Sequence, residues 1–386
     1  MLRVGLVMPH IFMHQQVLPH VIFAPGKLAL DLAEGLRKKG IEVTFFTPGP
    51  VETSLTQINA DVSLFEAELA ERGDGYMDLL KKHPFTFITL ARQVQSELIA
   101  RAYAMANNDE LDVVHIYGNE EDTALPFAKL CRKPVVFTHH DPYNFLVKYR
   151  SVFPKYPQLN WISMSMAQRK TMPTGTNWVA NIYHGLEPDH WQANYKPGSY
   201  LAYLGRIIEP KGLHLAIKAV KTYNAEHPAA PLTLKIAGKH YASSSKDNYW
   251  QTKILPELGN PHIEYLGFIR DHSEKQAFLG GAMALVVPST FNEPFGMVMI
   301  EALACGTPLI GLNSGAIPEV ITQAKNGCIV EKSSLSDDEI AKAIADCFTK
   351  TNTIDRRACR QDFETRFSLR KMVNAHAGLY QKLATK

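Results

Sequence analysis

The sequence is short of cysteine, of long hydrophobic runs and of net charge, and each shortage excludes something. Its five cysteines (Cys131, Cys305, Cys328, Cys347, Cys359) are scattered over 386 residues and never form a Cys-x-x-Cys pair. That argues against a disulfide framework or structural zinc and fits a reducing compartment. No stretch reaches the roughly 18 apolar residues of a spanning helix. The amino-terminal apolar run is interrupted by Arg3 and ended by Pro9, so no secretory signal is expected and the cytoplasm is the simplest address. Lys plus Arg total 41 against 38 Asp plus Glu, a formal net charge of +3. A nucleic-acid binder clusters its cations, so none is expected here. No Gly-x-Gly-x-x-Gly follows an early strand, which disfavours a dehydrogenase, and no Asp-x-Asp is present to bridge a metal to a diphosphate. Repeats and low-complexity tracts are absent too.

What is present is alternation. Hydrophobic residues make up 46% and charged ones 20%, enough apolar surface to fold. Short apolar runs at 3–9, 42–48, 113–117, 135–139, 161–164 and 178–182 predict strands buried on both faces of a parallel sheet. Between the first two, Leu28, Leu32 and Leu36 repeat at helical spacing over 27–39, with Gly40 as the stop. A longer helical region at 79–106 is broken by Pro84. The second half repeats the theme, with strands at 200–204, 232–237, 263–268, 284–288, 309–312 and 328–330. Helices are expected there at 213–223, 273–279, 298–304 and 337–349. Two doubly wound α/β domains follow, spanning 1–185 and 199–368, with Pro188, Pro197 and Gly198 punctuating the junction. Open parallel sheets bind ligands beyond the carboxyl ends of their strands, so a cleft between the domains is the expected site.

Two segments carry chemistry. In 288–315 a buried strand runs into a loop shaped by Pro294 and Gly296, then into a helix from Met297 to about Ala304. The first amides of that helix lack internal partners and its dipole adds partial positive charge, while Gly296 leaves room for an anion. Glu293 lies in the loop and Glu301 in the helix. A carboxylate opposes a diphosphate directly but suits hydroxyl groups on either side of one. The bland alternatives are a loop charge and a solvated helix carboxylate. In the second segment, LGRIIEPKG, Gly205 turns out of a strand and Arg206 and Lys211 precede a helix. Two cations there can clamp a diphosphate, although a surface charge pair would look the same. Lys211 precedes Gly212, so the segment is not a Walker A loop.

GRIIEPKG together with EPFGMVMIEALACGTPLIG resembles the retaining glycosyltransferases of family 4, whose GT-B fold places two Rossmann-like domains about a central cleft. The resemblance implies sugar transfer from a nucleotide diphosphate donor with anomeric configuration kept. It assigns Arg206 and Lys211 to the diphosphate, Glu293 to the donor sugar and Glu301 to the ribose. The backbone around Gly205, Phe295, Gly296, Met297 and Val298 would hold sugar and phosphate. The last helix, 369–386, would cross back to the first domain.

In the first domain, Pro25-Gly26-Lys27 sits where the family has a Gly-Gly loop, with Pro25 as the departure and Gly26 offering close backbone approach. Thr138-His139-His140-Asp141 resembles a T-x-H-D segment, placing His140 beside the reacting sugar. His115 matches less specifically, and His184 is as easily structural. The resemblance favours a UDP-sugar, with a GDP-sugar as the alternative. It leaves the acceptor open among carbohydrate, lipid and small molecule.

Front-face transfer is expected, since no carboxylate is placed under the anomeric carbon, and the two cations make a metal or other cofactor unnecessary. A GT-B phosphorylase would use the same cations, and a catalytically silent nucleotide-sugar sensor would keep some of them. Lys81, Lys82, Arg92, Arg101, Lys148, Arg150 and Lys155, among Phe85, Phe87 and Phe145, allow peripheral membrane contact or simply packed and solvated helix faces.

Overall fold

The computed structural model describes residues 1–21, 23–118, 121–240 and 248–385. The chain divides into two units, one built from Met1–Tyr183 with Leu369–Lys386, the other from His184–Ser368.

Seven strands form the sheet of the first unit: β1 Arg3–Val7, β2 Glu42–Thr47, β3 Thr56–Asn59, β4 Val113–Gly118, β5 Val135–His139, β6 Asn160–Ser163 and β7 Trp178–Asn181. They lie in the order β3-β2-β1-β4-β5-β6-β7, every pair parallel. Helices cover the sheet, so β4 and β5 are buried at every position. The edge strand β3, sequence TQIN, is polar and only half-buried, which is why apolar runs did not reveal it. The long helical region is two helices, Tyr76–Lys82 and Pro84–Asn107, with Pro84 opening the second. Phe85 on that second helix is 84% exposed, but Phe87 is buried in the core, so it belongs to no surface patch.

The first helix begins earlier than its leucine spacing suggested. It spans Ala24–Lys38, so Pro25 and Gly26 lie inside its first turn rather than in a loop ahead of it. A Cβ on Gly26 would sit 2.2 Å from the Met13 sulfur. The space that glycine frees is filled by Met13, not left open to a ligand.

The final helix, Leu369–Ala384, buries Met372, Val373, His376, Ala377 and Tyr380 within the first unit. Its Tyr380 hydroxyl lies 2.6 Å from His115 Nδ1 on β4, and His115 Nε2 lies 2.8 Å from Thr138 Oγ1 on β5. Burial holds His115 neutral, its pKa well below the ordinary histidine value.

Six strands form the second sheet: β8 Tyr200–Leu204, β9 Leu234–Ala237, β10 Ile263–Gly267, β11 Ala282–Val287, β12 Leu309–Leu312 and β13 Gly327–Val330. Their order is β10-β9-β8-β11-β12-β13, again parallel throughout. The strands are added towards one edge from β8 to β10 and towards the other from β11 to β13, so the winding switches between β8 and β11. Helix Asp337–Thr351 packs on this core and opens with a complete capping box between Ser336 and Glu339. Cys347 on that helix is joined to Cys328 on β13. The scattered cysteines therefore include one bonded pair, which no short spacing signalled because 19 positions separate them. Among the described residues no helix is long and apolar enough to cross a membrane.

Candidate functional site

The carboxyl ends of β8 and β11 face the same crevice, the place where a doubly wound sheet leaves its two central strands uncovered by a connection. Gly205 and Arg206 leave β8, and Lys211 ends a short turn, Glu209–Lys211. The 288–296 loop leaves β11 and enters helix Met297–Ala304. The amides of Thr290 and Phe291 both donate to the Pro210 carbonyl, at 3.0 and 3.1 Å, so the two loops form one surface.

At the helix start Gly296 adopts φ +96°, a conformation that side chains disfavour, and no side chain caps the amides that follow. Met297 and Val298 thus open a helix end with donors available to an anion. Phe295 turns inward and is buried, its ring against His184 and Phe367. It positions the backbone and offers no side chain to a ligand.

Glu293 is the most enclosed charge of the site, its side chain 7% exposed. Its carboxylate pairs with the Lys211 ammonium and accepts a 2.8 Å bond from the Ser289 hydroxyl. The loop holding it is pinned from the far side by Gly315 at φ +54°. A Cβ there would lie 2.3 Å from the Glu293 amide nitrogen. Ala316 N–H donates to the Glu293 carbonyl at 2.8 Å. Lys332 donates to the Thr290 carbonyl at 3.0 Å and to Ser314 Oγ at 2.9 Å, and burial lowers its pKa. Ser289, Gly315 and Lys332 escaped notice in the sequence, since small residues and a distant lysine carry no pattern of their own.

Arg206 is exposed and its guanidinium makes no ion pair or hydrogen bond among the described residues. Glu301, one turn into the helix, accepts a 2.8 Å bond from Lys275. Arg206, Lys211, Glu293, Glu301, Gly205 and the Gly296 turn therefore all belong to the second unit and its switch point.

The first unit carries His140, just past β5 and buried, with its ring 4.5 Å from that of Tyr117. Gln168, a residue the sequence did not single out, donates to the carbonyls of His139 and Asp141 at 2.8 and 3.0 Å and so fixes the segment on both sides of His140. His139 is packed among Tyr143, Tyr149 and Phe153. At the switch point of this sheet His10 follows β1, and burial with the nearby Lys148 charge lowers its pKa to about 4.

A basic pair, an open helix end and flanking carboxylates at the switch point of a parallel α/β sheet are groups suited to an anion with hydroxyls on either side. Residues 189–362 match the family model described as glycosyl transferases group 1, and residues 26–183 match that of glycosyltransferase family 4. The chain belongs to glycosyltransferase family 4 and has the GT-B fold. It is 25% identical over 346 residues to a phosphatidyl-myo-inositol mannosyltransferase of Propionibacterium freudenreichii, covering 83% of this chain and 80% of that one. It is 30% identical over 213 residues to a glycogen synthase of Mycobacterium tuberculosis, covering 52% and 48%. The chain spans about half the length of several such relatives, the Bacillus subtilis spore coat protein SA (26% identical over 185 residues, 47% of this chain and 48% of that one) included. Among solved structures, sucrose-phosphate synthase of Thermosynechococcus elongatus superposes with a TM-score of 0.71 at 16% identity over the whole of both chains. HepE of Anabaena, in complex with UDP and glucose, does so at 0.66 and 15% identity over 99% of this chain and 100% of that one.

Proposed function

We propose that the protein is a retaining hexosyltransferase that moves a sugar from a UDP-sugar to an acceptor by front-face attack. The observation that carries this is the convergence of Arg206, Lys211, Glu293, Glu301 and the uncapped helix start on one switch point. The helix amides and the two cations hold the diphosphate. Glu293 accepts bonds from the sugar hydroxyls and Glu301 from the ribose, while His140 meets a hydroxyl of the reacting sugar. As the C1–O bond to phosphate breaks, negative charge grows on the leaving oxygen, where Arg206 and Lys211 stabilise it. The acceptor oxygen bonds C1 on the same face and its proton passes to the departing diphosphate. Uridine is favoured over guanosine because HepE is a neighbour with UDP bound.

The two cations also make the transfer metal-independent. Thermal-shift screening against UDP- and GDP-sugars tests the donor, since a ligand of the native state raises its apparent stability. Turnover with EDTA present and release of UDP are the expected results. Formation of sugar 1-phosphate would instead mark a phosphorylase. Binding without turnover across acceptors would mark a sensor, and binding of no nucleotide sugar would overturn the proposal.

A further inference from the structure

We propose that Lys275 determines nucleotide specificity: with Glu301 it forms a donor–acceptor pair that reads the hydroxyls of a ribose and rejects a deoxyribose. This rests on the reading that the second unit holds a nucleoside diphosphate.

Lys275 lies in helix His272–Gly280 and Glu301 in helix Met297–Ala304, so two separate elements bring the pair together. Nζ and Oε1 are 2.8 Å apart, and the side chains are 26% and 12% exposed. The ammonium also stands 5.3 Å from the Trp191 ring centroid, and Trp191 packs edge-on against His272 at 4.6 Å. Lys275 is therefore held on two sides rather than waving in solvent.

An ammonium has three N–H donors, and only one is spent on Glu301. The second carboxylate oxygen of Glu301 accepts no hydrogen bond among the described residues. Free acceptor and free donors thus lie within one hydrogen-bond length of each other. Few groups satisfy both. A phosphate answers the ammonium but is repelled by the carboxylate, and a methylene strips both of water and returns nothing. A hydroxyl donates to the carboxylate and accepts from the ammonium, and a vicinal diol does so twice. The pair is built for a diol.

A purely structural ion pair between two helices would behave differently. Ion pairs that water still reaches contribute little, and losing a merely structural one would weaken every nucleotide alike.

The test is calorimetric titration of the full chain with UDP and 2′-deoxy-UDP, and with GDP and 2′-deoxy-GDP, for wild type, Lys275→Met and Lys275→Arg. A hydrogen bond to a charged group sets the scale, so the wild type should prefer the ribonucleotide by about tenfold or more. In Lys275→Met the ribonucleotide should lose about tenfold in affinity and the deoxy form far less, so the ratio collapses. Lys275→Arg should restore part of it, a rescue that mere space-filling would not produce. An unchanged ratio in Lys275→Met, or a Lys275→Arg protein as undiscriminating as the Met variant, overturns the inference while the proposed function stands. Wild type that binds none of the four nucleotides overturns the proposed function, and this inference with it.

Discussion

Replacing Lys211 by Met removes the cationic half of the most enclosed charge pair at the site. The partner, Glu293, is 7% exposed and would keep only the Ser289 hydroxyl at 2.8 Å. Stranding a fully buried charge costs about 3–5 kcal/mol. Lys211 itself is 21% exposed and water reaches its side of the pair, so about 2 kcal/mol is expected here. For a unit of this size that lowers the melting temperature by about 4–8 °C. Adding Glu293→Gln removes the stranded charge and should return most of that stability. UDP binding separates the two roles of Lys211, because UDP carries the diphosphate but no sugar for Glu293 to hold. Lys211→Met should weaken UDP by about tenfold to a hundredfold, and the double variant should stay as weak although its stability has recovered. Glu293→Gln alone should bind UDP no worse than wild type, since the ammonium is released from its internal partner. Melting curves and titrations on the four proteins form a closed cycle. Recovery of UDP affinity in the double variant would refute the reasoning, because Lys211 would then act only by holding Glu293.

Gly315→Ala places a Cβ 2.3 Å from the Glu293 nitrogen at a positive φ. Loss of nucleotide-sugar binding with a melting temperature lowered by several degrees is expected, and a variant indistinguishable from wild type in both would show that the loop has slack. Acid should destabilise the first unit through His376, which is buried and whose pKa falls from 6.5 to about 4. Above pH 6.5 both states are neutral. Between 6.5 and 4 the unfolded chain takes up a proton that the folded one refuses, so stability falls by about 1.4 kcal/mol per pH unit, roughly 3 kcal/mol in all. Urea unfolding from pH 7 to 4 should show a shallower pH slope in His376→Gln, and equal slopes would contradict the assignment. Tyr380→Phe deletes the hydroxyl 2.6 Å from His115 and leaves a buried ring nitrogen without its partner, a loss of about 1–3 kcal/mol by chemical denaturation.

The strands were legible because burial on both faces writes continuous apolar runs, and twelve of the thirteen begin at the start of such a run or within two residues of it. Thr56–Asn59 was not, since an edge strand has one flank in water and needs no such run. The helix at Arg356–Arg366 was missed for a related reason. Its buried members include Arg356 and Asp362, whose burial is satisfied by partners far along the chain rather than by apolar character. At the site, Glu293, Glu301, Arg206 and Lys211 stood out because charges beside glycines at a strand end are unusual. Gln168, Lys275 and Lys332 did not, because each acts on a residue brought to it only by folding. Gly26 shows the converse error: a glycine read as room for a ligand is room for Met13.

The two carboxylates raise an electrostatic difficulty that the structure answers. A diphosphate site flanked by Glu293 and Glu301 alone would repel its own ligand, and the positive end of one short helix offsets only about half a charge. Each carboxylate instead has a dedicated lysine, Lys211 for Glu293 and Lys275 for Glu301, while Arg206 is left with no ion pair among the described residues. The two carboxylates are thus neutralised locally, which leaves Arg206 and the helix dipole to attract an anion. On the proposed function, an arriving diphosphate would meet Arg206 first, Lys211 would turn towards it as sugar hydroxyls take up Glu293, and Lys275 would stay with Glu301 at the ribose. Charge on the phosphates and hydroxyls on either side would then be recognised together, because Lys211 is not released at low cost unless Glu293 finds another donor, and the Lys275–Glu301 pair gives up its water at low cost only to a diol. Inorganic pyrophosphate, which lacks those hydroxyls, should therefore bind far more weakly than its charge alone would suggest. Equal affinity for pyrophosphate and UDP in a competition titration would show that the pairs impose no such coupling.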